Sequence, residues 1–291
     1  MIDWSKSLIH NMSYNLAISK MTIEHIATKY FTSGLKKFSN LHKGESCYIF
    51  GDGPSIKWFD LSEFSNHPSI CCGMMPFHRD FSKLDVRYCT MVEPWLFCPD
   101  WLKRKKFLVD LNKIAEEYKT FIKRATDKQF FINLSNRLSL VGENINYVFR
   151  GLPEIRNKTD ELLNQLNLFA GSFHASLTLA YYLGFSKIFL VGFDAWTIQP
   201  ARTLRWYELG QGEYFEATNF AAELLNILKS ECEIYTISMD GESRNVTNIS
   251  YEAYTGVKPK FRENYELVEP RMLKILATFP EYKIYEDALN E

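Results

Sequence analysis

Five consecutive residues, Gly51-Asp52-Gly53-Pro54-Ser55, carry the strongest chemical signal in the chain. They follow the apolar run Cys47-Tyr48-Ile49-Phe50, which reads as a short buried strand. A strand that stops at two glycines lets bare backbone approach a ligand closely. Pro54 has no N–H and a fixed φ, which suits the first position of a helical turn. Ser55 can cap that turn or donate to a ligand oxygen. Gly51, Asp52, Gly53 and Ser55 therefore read as a nest of backbone N–H groups for the phosphate or sugar of a nucleotide. The competing reading is a tight strand-to-helix turn with no ligand. A third glycine at dinucleotide spacing is missing, and so is the Gly-Lys-Ser/Thr of a P-loop.

A second chemical stretch is Arg202-Thr203-Leu204-Arg205-Trp206-Tyr207. Arg202 and Arg205 offer planar, permanently charged forks for phosphate, and Tyr207 offers a hydroxyl. His67 and His78 lack metal-ligand spacing, and His174 reads as a half-buried structural histidine. Asp-x-Asp, the serine-hydrolase elbow and zinc spacings are all missing.

Positioning these residues requires strands alternating with helices. Ser69-Ile70-Cys71-Cys72 reads as a strand ending at Gly73, and Arg87 to Val92 as one ending at Glu93-Pro94. Phe107 to Asp110 and Phe130 to Ile132 are further candidates, with a helix from Lys113 to Ala125 between them. Thr159 reads as the cap of another helix. Gly171-Ser172 opens a small-residue helix that ends at Gly184. Ile188 to Val191 is then a strand running into Gly192-Phe193-Asp194. Residues 195–215 read as a loop or lid, Glu216 to Ser230 as an amphipathic helix, and Glu233 to Ile237 as a last strand. Residues 238–262 read as loose and 263–279 as a helix. This alternation predicts an α/β fold with a doubly wound, mostly parallel sheet. Ligands of such sheets bind beyond the C-terminal strand ends, where strand order reverses. Gly51–Ser55, Gly73, Glu93 and Gly192–Asp194 should meet there. The helix N-terminus at Gly171 and Ser172 should add a positive dipole.

The chain has 291 residues, 46% of them hydrophobic, and a net charge of -1. That balance excludes a typical nucleic-acid binder. The six cysteines form no Cys-x-x-Cys pair and fit buried free thiols in a reducing cytoplasm. A basic-then-apolar leader and a bilayer-length apolar run are not seen. The expected organisation is a helical N-terminal appendage over 1–44, a nucleotide-binding domain over 45–240, and a C-terminal loop and helix over 241–291.

Gly51-Asp52-Gly53-Pro54-Ser55, the Gly171-Ser172 helix start and the stretch Leu183-Gly184-Phe185-Ser186-Lys187-Ile188-Phe189-Leu190-Val191-Gly192-Phe193-Asp194 resemble the bacterial sialyltransferases of glycosyltransferase family 42 and the related motility-associated-factor glycosyltransferases. The likeness covers roughly residues 46 to 240. It implies a Rossmann-like, GT-A-variant fold with a lid. It also implies metal-independent, inverting transfer of a nonulosonic (sialic-acid-like) sugar from a CMP-activated donor to a glycan or protein acceptor, with no cofactor beyond that donor. Gly51, Asp52, Gly53, Ser55, Gly171 and Gly192 would line the nucleotide. Ser172 would sit at the donor, and Asp194 near the cytosine or ribose. The resemblance further implies a cytoplasmic enzyme of glycan biosynthesis, peripheral at the inner membrane face and forming homo-oligomers.

The chain also departs from that pattern. Asp52 replaces an asparagine, Gly73 stands where another asparagine is found, and Glu93-Pro94 replaces Asn-Pro. Trp196 aligns with a phosphate-binding tyrosine, and Gln211 with the lid histidine held to be the base. Glu93, at a strand end, is the first candidate for the base, with Glu208 and Glu213 as lid rivals. Gly73, Trp196, Arg202, Arg205 and Tyr207 are the candidates for holding donor and phosphate. Two rival functions stay open: a pterin-type diphosphotransferase using ATP and Mg²⁺, and a non-catalytic nucleotide-binding protein of glycan assembly.

Overall fold

The computed structural model describes residues 33–102, 111–148, 171–199, 201–216, 222–239, 242–243 and 246–285. Eight strands form one sheet: β1 (Ser46–Phe50), β2 (Ser69–Cys72), β3 (Val86–Met91), β4 (Gln129–Asn133), β5 (Ile145–Val148), β6 (Lys187–Val191), β10 (Glu233–Ser238) and β12 (Thr247–Ser250). Four two-residue strands, β7 (Ile198–Gln199), β8 (Ala201–Arg202), β9 (Tyr214–Phe215) and β11 (Glu242–Ser243), form two small ribbons. The described α-helices are α1 (Asn112–Arg124), α2 (Ser172–Leu183), α3 (Asp194–Thr197), α4 (Ala222–Leu228), α5 (Tyr251–Thr255), α6 (Asn264–Leu267) and α7 (Pro270–Leu276).

The spatial order is β12-β10-β6-β1-β2-β3-β4-β5, and every pairing in this sheet is parallel. The chain winds outward from β1 through β5, then restarts on the other side of β1 with β6, β10 and β12. The switch in strand order therefore lies between β1 and β6. This is the α/β, doubly wound architecture expected from the alternation of elements.

Both faces of the sheet are covered, which is why its strands read as unbroken apolar runs. Tyr48, Phe50, Phe189 and Val191 enter one core, with Ile114, Tyr118 and Ile122 of α1 and Met272, Leu273 and Leu276 of α7. Cys47, Ile49, Ile188 and Leu190 enter the other, with Ala175, Leu179, Ala180 and Leu183 of α2. Small residues let α2 lie close: Ser176 Oγ meets Thr90 Oγ1 of β3 at 2.8 Å. Gly184 ends α2 in the left-handed conformation at φ 88°, as its C-cap position predicts. Of the N-terminal appendage, residues 33–44 are described. Leu35 and Phe38 enter the second core, and Asn40, His42 and Gly44 donate backbone bonds to Tyr182, Leu183 and Gly184.

Several elements differ from the sequence reading. The stretch 238–262 is not loose, because β12 and α5 occupy part of it. Ser250 supplies the N-cap of α5 by accepting the Ala253 N–H at 3.2 Å. The helix expected over 263–279 is two helices. Glu263 and Glu266 form a capping box at α6, and Pro270 starts α7 after an extended Val268. Strand β5 was not foreseen; its Asn146 interrupts the apolar run. All six cysteines are free and buried. The candidate strand at Phe107–Asp110 and the helix start at Thr159 lie outside the described residues, and α4 is the described part of the helix expected over 216–230. Among the described residues, no helix is long and apolar enough to cross a membrane.

Candidate functional site at the strand-order switch

A cleft of about 720 Å³ opens at the C-terminal ends of β1, β2 and β6. Of the residues singled out from sequence, Asp52, Gly53, Gly73, Ser172, Gly192, Asp194, Trp196, Arg202, Arg205 and Glu208 line it. These come from four separate turns and the start of α2. The α/β topology alone brings them together.

The glycine turn is built differently from the expected nest. Gly51 N–H donates to Val191 O at 2.9 Å, and Gly53 N–H donates to Gly192 O at 2.6 Å. Ser55 donates its N–H at 3.3 Å and its hydroxyl at 3.0 Å to Asp194 Oδ2. These three amides and the hydroxyl are thus spent inside the protein. The glycines serve backbone-to-backbone contact between the β1 and β6 turns. A Cβ on Gly51 would stand 2.7 Å from Gly192 O, and one on Gly192 2.8 Å from Gly51 O. A Cβ on Gly53 would stand 2.0 Å from Asp194 Oδ2. Neither Gly51 nor Ser55 lines the cleft.

Asp52 points across to the β2 turn. Its Oδ1 accepts the Met74 N–H at 2.8 Å and the Trp206 indole N–H at 3.2 Å. Gly73 has φ 59°, and a Cβ there would fall 1.8 Å from Asp52 Oδ2. Gly73 is therefore the seat of this carboxylate. Burial pushes the Asp52 carboxyl up to about 6, although the Met74 and Trp206 donors and the Arg205 charge oppose the rise.

The lid is fastened to the core rather than loose. Its β8–β9 ribbon pairs Ala201 with Phe215 and Arg202 with Tyr214. Trp206 is fully buried. Arg202 lies 4.3 Å from the Tyr214 ring centroid and donates to the Tyr214 hydroxyl at 3.0 Å. Arg205 pairs with Glu208 at 3.0 Å. Burial raises the Glu208 carboxyl, against the pull of Arg205. Tyr207 is buried behind the cleft wall, edge-on to Trp206 and Tyr282, and does not line the cleft.

Three catalytic candidates stand elsewhere. Glu93 is exposed and outside the cleft lining, because β3 lies two strands from the switch. Its carbonyl accepts a hydrogen bond from Asn136 Nδ2 at 3.0 Å. Gln211 and Glu213 are exposed in the turn of the lid ribbon. Gly171 precedes α2 and accepts the Ala175 N–H at 2.9 Å, whereas Ser172 at the helix start faces the cleft.

Lys57 was missed by the sequence reading. It is wholly buried, pairs with Glu263 at 2.9 Å, and donates to the carbonyls of Glu208 and Gly210. Glu263 Oε1 also accepts the Gly210 N–H at 2.9 Å. The pair clamps the lid segment that carries Arg205 and Glu208. The available signal was a lone lysine between Ile56 and Trp58, where an unpartnered ammonium would be too costly. Phe215 and the exposed Glu281 complete the rim. Among the described residues, no group of three or more His, Cys, Asp or Glu side chains is placed to hold a metal ion.

Fold and site together define a doubly wound α/β protein whose switch-point cleft is lined by carboxylates, arginines and aromatic side chains. No family model matches the chain, and no curated protein matches it. Among solved structures it is similar to the sialyltransferase CstII from Campylobacter jejuni in complex with cytidine-5'-monophosphate, at 13% identity and a TM-score of 0.41, covering 78% of this chain and 94% of that one. It is similar to the same enzyme with CMP-3FNeuAc, at 14% identity and a TM-score of 0.42, covering 78% and 95%. It is also similar to the MAf glycosyltransferase from Magnetospirillum magneticum AMB-1, at 12% identity and a TM-score of 0.45; the match covers 82% of this chain and 43% of that one.

Proposed function

We propose that this protein is a metal-independent, inverting glycosyltransferase that takes a CMP-activated nonulosonic sugar and passes it to a glycan or protein hydroxyl. The observation that carries this reading is the convergence of the α2 N-terminus, Arg202, Arg205 and a set of carboxylates on one cleft at the strand-order switch. The helix dipole and the two guanidinium groups supply positive charge where a phosphate would depart. Trp196, which stacks on Phe173 at 5.5 Å and lines the cleft, offers an aromatic face for a base or sugar ring. The carboxylates of the wall supply acceptors for sugar hydroxyls and for the proton of the incoming acceptor.

In this reading the nucleotide lies along the β1 and β6 turns with its phosphate toward Arg202 and Arg205. The anionic donor sugar sits between Arg205 and Ser172, and the acceptor enters past Phe215 and Glu281. The fastened lid keeps water from the reacting carbon, which protects a donor prone to hydrolysis. The Lys57–Glu263 clamp ties the C-terminal segment to the lid that carries Arg205 and Glu208.

The test incubates purified protein with CMP-activated nonulosonic acids and a panel of glycan acceptors, with and without EDTA. Acceptor-dependent CMP release and a matching mass gain on the acceptor, both unaffected by EDTA, are the expected result. Turnover of ATP with Mg²⁺ alone, or cytidine nucleotide binding without turnover on any acceptor, contradicts it.

A further inference from the structure

Four carboxylates line the cleft: Asp52, Asp194, Glu208 and Glu281. Their surroundings separate them. Asp194 Oδ2 takes both Ser55 donors. Glu208 Oε1 is paired with Arg205. Glu281 is an exposed rim residue. Asp52 sits half-buried at the switch point with one oxygen fixed by two donors and the other left over. Oδ1 is held by the Met74 N–H at 2.8 Å and the Trp206 indole N–H at 3.2 Å. No protein donor among the described residues reaches Oδ2. That oxygen lies over Gly73, and both residues form the cleft wall.

We infer that Asp52 is the catalytic base of this site, an inference that rests on the transferase reading above. Two donors on Oδ1 fix the plane of the carboxyl, so Oδ2 presents a lone pair in a constant direction. The acceptor O–H gives its proton to Oδ2 as its oxygen bonds to the anomeric carbon of the donor. The bond from that carbon to the CMP phosphate oxygen breaks, and its electron pair leaves on the phosphate. Asp52 then returns the proton to solvent. Facing Asp52 are Arg205 and Glu208 from the lid, the Cys72 thiol of β2, the Tyr118 phenol of α1 and the Tyr207 phenol. Burial sets the carboxyl at about 6 in these surroundings, so it is ionised yet basic enough to take a proton at neutral pH.

The experiment compares wild type, Asp52→Asn and Trp206→Phe by CMP calorimetry and by transfer rates from pH 4.5 to 8.5. Asp52→Asn keeps an acceptor for Met74 and Trp206 but removes the base. It should bind CMP within about threefold of wild type while kcat falls by at least about a hundredfold. The acidic limb of the wild-type profile should have a midpoint near 6 and vanish in Asp52→Asn. Trp206→Phe removes one donor to Oδ1 and should move that midpoint upward, which a merely structural role would not do. A kcat for Asp52→Asn within about fivefold of wild type, or a limb unmoved in both variants, overturns the inference while leaving the transferase reading intact. Wild type that neither binds CMP nor turns over any donor overturns both.

Discussion

Trp206 and Asp52 are joined twice, by the Trp206 backbone N–H to the Asp52 carbonyl and by the indole N–H to Asp52 Oδ1, each at 3.2 Å. Through these bonds the lid closes on the β1 turn and the Asp52 carboxyl acquires a fixed orientation. The same burial that orients Asp52 costs its charge some solvation. In the proposed role of Asp52, function and stability are therefore opposed.

That opposition gives a pH dependence of stability. The Asp52 carboxyl lies at about 6 in the folded chain against 3.8 for the free group. The folded state then holds more protons than the unfolded state between these values, so stability falls as pH rises through the window. The span amounts to a contribution on the order of 2–3 kcal/mol, present below pH ~4 and lost above ~6. Asp52→Asn should abolish this contribution to the slope and be more stable than wild type at pH 8. Urea unfolding at pH 4.5, 6 and 8 measures it. A parallel pH dependence in variant and wild type would refute the assignment.

Lys57→Met should release the lid. The substitution keeps an unbranched side chain, one atom shorter, but leaves the carbonyls of Glu208 and Gly210 without their donor, and Glu263 without its cation. Breaking such a pair costs about 3 kcal/mol or more. Glu263 is partly exposed and keeps the Gly210 and Asn264 amides, which favours the lower end. Differential scanning calorimetry should show Tm lower by roughly 6–12 °C. A change under about 2 °C would mean that the clamp contributes nothing to stability.

Gly73→Ala should displace the Asp52 carboxyl. The new methyl group would fall 1.8 Å from Oδ2, at a φ of 59° that alanine rarely adopts. The expected result is a loss of about 2–4 kcal/mol in urea unfolding, with changed near-ultraviolet dichroism from Trp206. Retained stability and an unchanged Trp206 signal would contradict the packing described.

Arg205→Lys should weaken phosphate binding even though the charge is kept. A lysine offers no planar fork, and losing one charge-assisted bond costs about 1.5–3 kcal/mol, or roughly 10- to 150-fold in Kd. Calorimetry with CMP reads this directly. Equal affinity in variant and wild type would place the phosphate elsewhere.

The fold was legible because strands buried on both faces leave unbroken apolar runs, as at Cys47–Phe50 and Ile188–Val191. Strand β5, with Asn146 inside it, and β12, which is partly exposed, left no such run. The cleft was legible in part because the switch point gathers strand ends wherever they lie in sequence. The fates of individual polar groups were not. Sequence places Ser55 and Gly53 beside a ligand, whereas the structure spends their donors on Asp194 and Gly192. Glu93 ends a strand, but sheet order puts that strand two positions from the switch. Lys57 and Glu263 are more than two hundred residues apart, and no local pattern announces their pairing.

In the proposed function, the switch-point cleft binds a cytidine nucleotide through Arg205. Isothermal titration of the full chain with CMP, UMP, GMP and ATP, each with and without EDTA, tests it most directly. CMP should bind in a way that EDTA does not alter, and at least about tenfold more weakly in Arg205→Lys. No heat with CMP, or binding of ATP that requires Mg²⁺, would contradict it.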